Sequence, residues 1–137
     1  MRFMLLVKAD QETEAGVLPS QQLLTEMGKY NEELVKAGVL LAAEGLQASA
    51  KGSRVTFTDG KPTVVDGPFA ESKELVAGYT LIQVRSRDEA LEWSRRFPNP
   101  MGEGRSAEIE VRQLYELEDF EQRAIHGAER FRALGTL

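Results

Sequence analysis

The segment from residue 65 to residue 79 contains the side chains best suited to chemistry in this sequence. Asp66 precedes Gly67, Pro68 and Phe69, so the backbone is expected to turn sharply there, at the end of a strand. Its carboxylate either caps that turn or faces a cleft as a general base or ligand anchor. The charged residues that follow, including Glu71 and Lys73, form either a solvated run or part of that cleft. A lysine facing Asp66 would keep the carboxylate ionised.

Other polar and aromatic residues stand in apolar surroundings. Glu44 lies within the apolar run 39–46, where an ionised carboxylate is costly unless it is paired or hydrated, and Arg112 is the candidate partner. Tyr79 is predicted in mid-strand with a hydroxyl that needs a partner, while Phe69 is either a core plug or a ligand platform. The predicted site is a polar cleft under the sheet. It has Asp66 as catalytic residue and, as ligand-binding residues, Glu44, Phe69, Glu71, Lys73, Tyr79 and Arg112.

Composition excludes several classes of site. The 137 residues include no cysteine and one histidine, His126, so thiolate chemistry and cysteine- or multi-histidine metal sites within one chain are excluded. Only carboxylate sites suited to magnesium or calcium remain, and we predict neither a bound transition metal nor a cofactor. Gly102-Glu103-Gly104 does not open a helix after a strand, unlike a nucleotide-binding glycine loop.

Charge and hydropathy limit the partners. There are 22 acidic and 17 basic residues, a net charge of −5, and the arginines at 85, 87, 95 and 96 are interpreted as a solvated helix face. We therefore expect no direct nucleic-acid partner. No apolar stretch approaches the roughly 20 residues of a membrane span, and the run 3–7 is too short for a signal-peptide core. A cytoplasmic location with no membrane partner is expected.

Hydrophobic periodicity predicts the elements that position these residues. Strands are predicted at 3–7, 39–46, 75–84 and 107–114, and Asp59-Gly60 predicts a hairpin that joins strands 54–58 and 62–65. Helices are predicted from Pro19 or Ser20 to Ala37, from Ser86 until Pro98 ends the helix, and over 118–134, with a polar loop at 9–18. The chain divides into a domain at 1–117 and a helical tail at 118–137.

The predicted order is that of an α+β, ferredoxin-like split βαβ fold with an antiparallel sheet, an inserted β-hairpin and a C-terminal helix. Two helices cover only one face of such a sheet, yet the strands at 3–7 and 75–84 are apolar on both faces. Something must cover the second face. A second copy of the chain and the tail helix are the two candidates.

The motif Asp66-Gly67-Pro68-Phe69-Ala70-Glu71-Ser72-Lys73-Glu74, followed by Gly78-Tyr79, resembles the YCII-related family and specifically its DGPF-domain subgroup. The opening Arg2-Phe3-Met4-Leu5-Leu6, the stretch Asp88-Glu89-Ala90-Leu91-Glu92-Trp93 and the closing Ile109-Glu110-Val111-Arg112 support the resemblance. It implies a dimeric α/β barrel, in which the sheets of two copies pack face to face. The resemblance implies no established reaction.

Some family members resemble enzymes that have a histidine–aspartate pair in a cleft. Here His126 lies in the tail, so only Asp66 carries over. The first hypothesis is a homodimeric, small-molecule-binding or cofactor-free enzyme-like domain with a cleft near Asp66. The alternative is a non-catalytic regulatory or interaction module linked to alternative sigma factor systems, a genomic association that the resemblance implies.

Overall fold

The computed structural model describes residues 1–70 and 74–121. Glu71, Lys73, His126 and most of the predicted tail helix lie outside the described residues. The strands are β1 (Arg2–Lys8), β2 (Leu40–Gly45), β3 (Ser53–Thr58), β4 (Lys61–Asp66), β5 (Val76–Gln83) and β6 (Ile109–Gln113). The helices are α1 (Gln11–Glu14), α2 (Gln21–Lys36), α3 (Arg87–Arg95) and α4 (Leu117–Phe120), and a 3-10 turn spans Ser49–Lys51.

Four strands form one antiparallel sheet in the order β2-β5-β1-β6. The two central strands, β1 and β5, are flanked by β6 and β2, which is the order of a ferredoxin-like split βαβ unit. In the register, Phe3 lies opposite Ile82 of β5 and Gln113 of β6. The predicted α+β fold class is confirmed.

Helices α2 and α3 cover one face of this sheet. Serine side chains at positions 20 and 86 cap their N-termini by accepting the amide protons of Leu23 and Glu89, as predicted. Because apolar residues recur every three or four positions in α2, Tyr30 and Leu34 turn toward the sheet. The buried core that results is Phe3, Leu5, Tyr30, Leu34, Val39, Ile82, Val84, Ala90 and Phe97.

The opposite face of the sheet, called the open face below, is also apolar at its centre. Strand alternation directs Met4 and Leu6 of β1 to this face, next to their register partners Leu81 and Tyr79 of β5. All four side chains are only half-buried in the single chain. The predicted two-sided apolar strands are therefore present.

Strands β3 and β4 form a separate two-stranded hairpin whose residues are exposed. Asp59 and Gly60 form its turn with φ angles of 52° and 75°, the left-handed conformation that an Asp-Gly pair tolerates. The hairpin prediction is confirmed. One side of the hairpin presents the register partners Val55 and Val64, and Phe57 is 75% exposed.

The prediction of a polar loop over 9–18 is wrong in its first half, where α1 forms. The Asp10 carboxylate accepts the Thr13 amide proton at 2.9 Å, and the Asp10 amide donates to the Thr13 hydroxyl at 2.8 Å. This reciprocal cap satisfies two backbone donors, so a single turn of helix is stable despite having no buried residue. None of the helices in the described residues is long and apolar enough to cross a bilayer.

Candidate functional site

A cavity of about 670 Å³ lies between the first half of α2 and the helix-covered face of the sheet. Its floor is formed by small residues, Ala43 and Gly45 of β2 and Gly78 of β5. These positions present a methyl group or no side chain, so they leave the space beneath α2 unfilled. A Cβ at Gly78 would lie 2.9 Å from the Glu44 carbonyl oxygen, which favours glycine at this position.

The walls of the cavity are mostly apolar and come from distant parts of the chain. Helix α2 contributes Leu23 and Met27, residues 16–19 form one rim, and Phe97 and Met101 follow α3. The loop that contains Met101 is held by Arg105, which contacts Glu12 at 2.6 Å and Asp10 at 3.5 Å. These ion pairs connect the N-terminal end of α1 with the loop that follows α3.

Asn31 is the polar exception in the α2 wall. It follows Leu23 and Met27 at intervals of four residues, so it lies on the same side of the helix. Its Oδ1 atom is buried and has no hydrogen-bond partner among the described residues. A buried acceptor of this kind is costly when it stays unpaired.

The DGPF turn (residues 66–69) is attached to the edge of the cavity by hydrogen bonds. Glu14 accepts both the amide and the hydroxyl protons of Ser49, at 3.0 and 2.9 Å. The Ser49 hydroxyl oxygen in turn accepts the Phe69 amide proton at 3.0 Å, and the Gly67 amide donates to the Gly52 carbonyl at 3.0 Å. Because Ala48 and Lys51 border the cavity on either side of Ser49, this relay fixes one rim.

Asp66 itself does not line the cavity. It is exposed at the base of the hairpin, where its Oδ1 atom accepts the hydroxyl proton of its register partner Ser53 at 2.7 Å. This contact ties β3 to β4 across the hairpin. Its geometry resembles the capping interpretation of the aspartate more than the cleft interpretation.

Within one chain, Glu44 and Arg112 do not pair, so this candidate partner is wrong for the single chain. Arg112 binds Glu110 at 2.9 Å, and Lys8 binds the same carboxylate at 3.1 Å. Both hydrogen bonds lower the pKa of Glu110, and the one from Arg112 has the larger effect. Glu44 lies on β2 at the opposite edge, three strand spacings or roughly 14 Å away. Glu110 and Arg112 lie two positions apart on β6, so their side chains share one face of the strand and Glu110 is the nearer partner.

The remaining predicted residues are only partly brought together. Glu44 and Tyr79 are register partners at the β2–β5 edge of the cavity, but strand alternation directs both side chains to the open face, away from the cavity floor. Phe69 is half-buried next to the DGPF turn, with the Arg54 guanidinium carbon 3.9 Å from its ring centre. Among residues 1–70 and 74–121, no three histidine or acidic side chains cluster in a way that could hold a metal ion.

Three residues of this region were not predicted from the sequence. Glu14 and Ser49 are 35 positions apart and carry no local signal. Asn31 does carry a local signal in the sequence. It is a polar residue that continues the four-residue spacing of Leu23 and Met27 on an otherwise apolar side of the helix.

Comparison with known proteins agrees with the fold. Residues 1–117 match the YCII-related domain. This chain belongs to the YCII-related family. An uncharacterised protein of Rhizobium meliloti (strain 1021) is 30% identical over 95 residues, which cover 69% of this chain and 77% of that protein. The match to the YCII-related domain includes every cavity-lining residue and ends at the first residue of α4.

Proposed function

We propose that this YCII-related domain binds a small, largely apolar organic molecule in the cavity between α2 and the sheet. The observation that carries the proposal is the cavity of about 670 Å³ with its mostly apolar walls, in which Asn31 is a polar exception. Ligand pockets in proteins occupy roughly 300–1,000 Å³ and combine apolar walls with a few placed polar groups. The DGPF turn contributes by supporting the rim through Ser49, and its sequence supports membership of the DGPF subgroup.

A catalytic role for Asp66 stays a prediction. Asp66 is not among the residues that line the cavity, and its carboxylate binds Ser53 instead, which favours binding over catalysis as the function of this single chain. The alternative of a regulatory or interaction module is favoured by a different observation, the apolar open face with Met4, Leu6, Tyr79 and Leu81. That surface suits self-association into a homodimer, and the link to sigma factor systems rests on the family resemblance.

A substitution that fills the cavity tests the binding proposal. Ala43→Phe places a ring on the cavity floor, and Ala37→Phe makes the same change at the exposed end of α2. N-phenyl-1-naphthylamine, a neutral dye that brightens in apolar sites, is titrated into each protein. We expect Ala43→Phe to weaken dye binding roughly tenfold or more, because about 1.4 kcal/mol of lost contact is tenfold in affinity. Ala37→Phe is expected to bind like the original chain.

Equal dye binding by the original chain and Ala43→Phe would contradict the proposal. The same titration on Asp66→Asn separates the predicted roles of the aspartate. If Asp66 only ties the hairpin, this variant binds the dye normally, because an amide oxygen still accepts the Ser53 hydroxyl proton. A change in dye affinity would indicate that Asp66 contributes to ligand binding.

A further inference from the structure

The hairpin formed by β3 and β4 is exposed along its whole length. Every residue of both strands is exposed, and among the described residues β3 pairs with β4 alone. The register partners Val55 and Val64 and the neighbouring Phe57 lie on the same side of the hairpin, and each is more than half exposed. A lone two-stranded hairpin is at best marginally stable in water. Contact with a further strand would therefore stabilise it.

The backbone groups of the hairpin alternate between its inside and its outer edges. Because the turn has two residues, Thr58 and Lys61 form a hydrogen-bonded pair, and every second pair along the ladder is bonded in the same way. The bond from the Gly67 amide to the Gly52 carbonyl, just beyond the strands, continues this alternation. The pairs in between direct their N–H and C=O groups outward, away from the other strand.

The two outer edges of the hairpin differ. On β3, Val55 and Phe57 belong to the outward-directed pairs, so both present an N–H and a C=O group at the edge. On β4, the register partner of Phe57 is Pro62, which has no N–H to present. Proline is one of the devices that keep an edge strand from pairing with other chains. The β4 edge is therefore blocked, and the β3 edge is open to another strand.

A second copy of the hairpin fits this open edge. Residues 53–66 carry two basic and two acidic side chains, whereas the whole chain has a net charge of −5, so two copies meet here without net repulsion. If two β3 strands pair antiparallel about a two-fold axis at Thr56, Val55 of each copy lies opposite Phe57 of the other. The outward N–H and C=O groups of this pair then bind each other. A β-branched residue opposite an aromatic one is also a favourable cross-strand pair.

We propose that the β3 edge is a self-association site, at which the hairpins of two copies join into one continuous antiparallel sheet. The contact uses neither the cavity nor the open face, so it is independent of the proposed binding function. It comprises one short strand from each copy, and interfaces below about 1,200 Å² are typical of weak, transient contacts. Assemblies larger than the proposed dimer are therefore expected as the protein concentration rises.

Proline substitutions at two register partners test which edge associates. Val55→Pro removes an outward N–H from β3, and Val64→Pro makes the same change on β4. Neither N–H bonds within the hairpin, so both variants keep its ladder. Sedimentation velocity is measured from about 10 to about 500 μM, a range in which weak contacts form. We expect the mass of the original chain and of Val64→Pro to rise with concentration, and that of Val55→Pro to stay constant.

Amide hydrogen exchange of the original chain gives a second readout that depends on no variant. The Val55 and Phe57 amides point outward and are expected to exchange rapidly at the low concentration. At the high concentration their exchange should slow roughly threefold or more, the factor expected when about two-thirds of the copies are paired. The Val64 amide, on the blocked edge, should exchange at the same rate at both concentrations.

The outcomes distinguish the edge from other contacts. If neither the mass of the original chain nor the exchange of its Val55 amide changes with concentration, the self-association site is wrong. If Val64→Pro weakens association as much as Val55→Pro, the copies meet through the apolar side of the hairpin and the assignment to the β3 edge is overturned. Equal association by all three proteins places the contact on another surface and overturns it as well.

Discussion

Tyr30 connects the two long helices through a buried phenol. Its hydroxyl donates to the Trp93 carbonyl at 2.7 Å, and its ring packs edge-on against Trp93 and at 5.0 Å from the Phe97 ring. Burial raises the pKa of Tyr30 to about 12; the positive charge of Arg96 opposes this shift and the negative charge of Glu33 adds to it. The phenol is therefore neutral in the folded chain at pH values where an exposed tyrosine begins to ionise.

This shift predicts a loss of stability in alkali that belongs to Tyr30. Below pH 10 the phenol is protonated in both states, and between about pH 10 and 12 the unfolded chain loses its proton first. The unfolded state then binds fewer protons, so the free energy of unfolding falls as the pH rises, by roughly 1–3 kcal/mol in total. Urea unfolding at pH 8 to 11, compared between the original chain and Tyr30→Phe, measures it.

Tyr30→Phe is the matched control for the lysines and other tyrosines, which titrate in both proteins. It is expected to be less stable at pH 8, by about 0.5–1.5 kcal/mol for the lost hydrogen bond, and to show a flatter decline above pH 10. If the two proteins lose stability in parallel above pH 10, the prediction that Tyr30 keeps its proton in the folded chain is wrong.

At the scale of elements, the DGPF turn and the 3-10 turn at Ser49–Lys51 touch through their backbones. A Cβ at Gly67 would lie 1.9 Å from the Ser49 carbonyl oxygen, closer than any real contact. The Gly67 amide is meanwhile bound to Gly52. Only glycine therefore allows the hairpin to return to the body of the domain at this point.

Two glycine-to-alanine variants give opposite predictions for stability. Gly67→Ala forces two backbone segments apart, and we expect a loss of roughly 1–3 kcal/mol together with weaker dye binding in the cavity. Gly28→Ala lies in mid-helix on α2, where a Cβ meets nothing within 4 Å and the φ angle is not left-handed. That variant should gain about 0.5–1 kcal/mol.

Thermal unfolding of both variants beside the original chain is the measurement. If Gly67→Ala melts at the same temperature as the original chain, the close approach of the two turns is not needed for folding. The gain in Gly28→Ala shows that the assay resolves changes of this size in both directions.

At the scale of the whole molecule, the helices bury one face of the sheet. The apolar side chains of the open face stay partly exposed. Met4, Leu6, Tyr79 and Leu81 supply the apolar centre of the open face, and its rim carries ion pairs such as Lys8–Glu110. An apolar centre within a charged rim is the usual composition of a protein–protein interface. A second copy of the chain is the proposed occupant.

We predict a homodimer that depends on the open face. Light scattering at micromolar concentration should give about twice the chain mass for the original protein. Leu6→Glu buries a charge in the proposed interface and should yield monomers, because an unpaired buried charge is strongly unfavourable. Val35→Glu makes the same change at an exposed position of α2 and should stay dimeric.

If the original chain is a monomer at that concentration, the predicted dimer with two sheets packed face to face is wrong. The predicted tail over 118–137 would then be the favoured cover of the open face. If Leu6→Glu and Val35→Glu both remain dimeric, the chain associates through another surface, for which the exposed hairpin side with Val55 and Val64 is the next candidate.

The sequence by itself determined those features of the chain that depend on neighbours along it. Serine caps at 20 and 86, the Asp-Gly turn and the two-residue alternation of β1 and β5 each act within a few residues, so their pattern predicts the element directly. The element order then leads to the ferredoxin-like sheet, and the motif at residue 66 leads to the family. The same local logic applies to α1, whose Asp10–Thr13 cap also lies within a few residues.

Only the tertiary structure decided which residues from distant parts of the chain lie close together. Strand order places β2 and β6 at opposite edges, and for that reason Glu44 and Arg112 of one chain cannot pair with each other. The relay from Glu14 to Ser49, and from Ser49 to Phe69, joins residues 35 and 20 positions apart. The cavity depends on small residues of two strands facing one half of α2, and a void is a property of packing that no single stretch of sequence encodes.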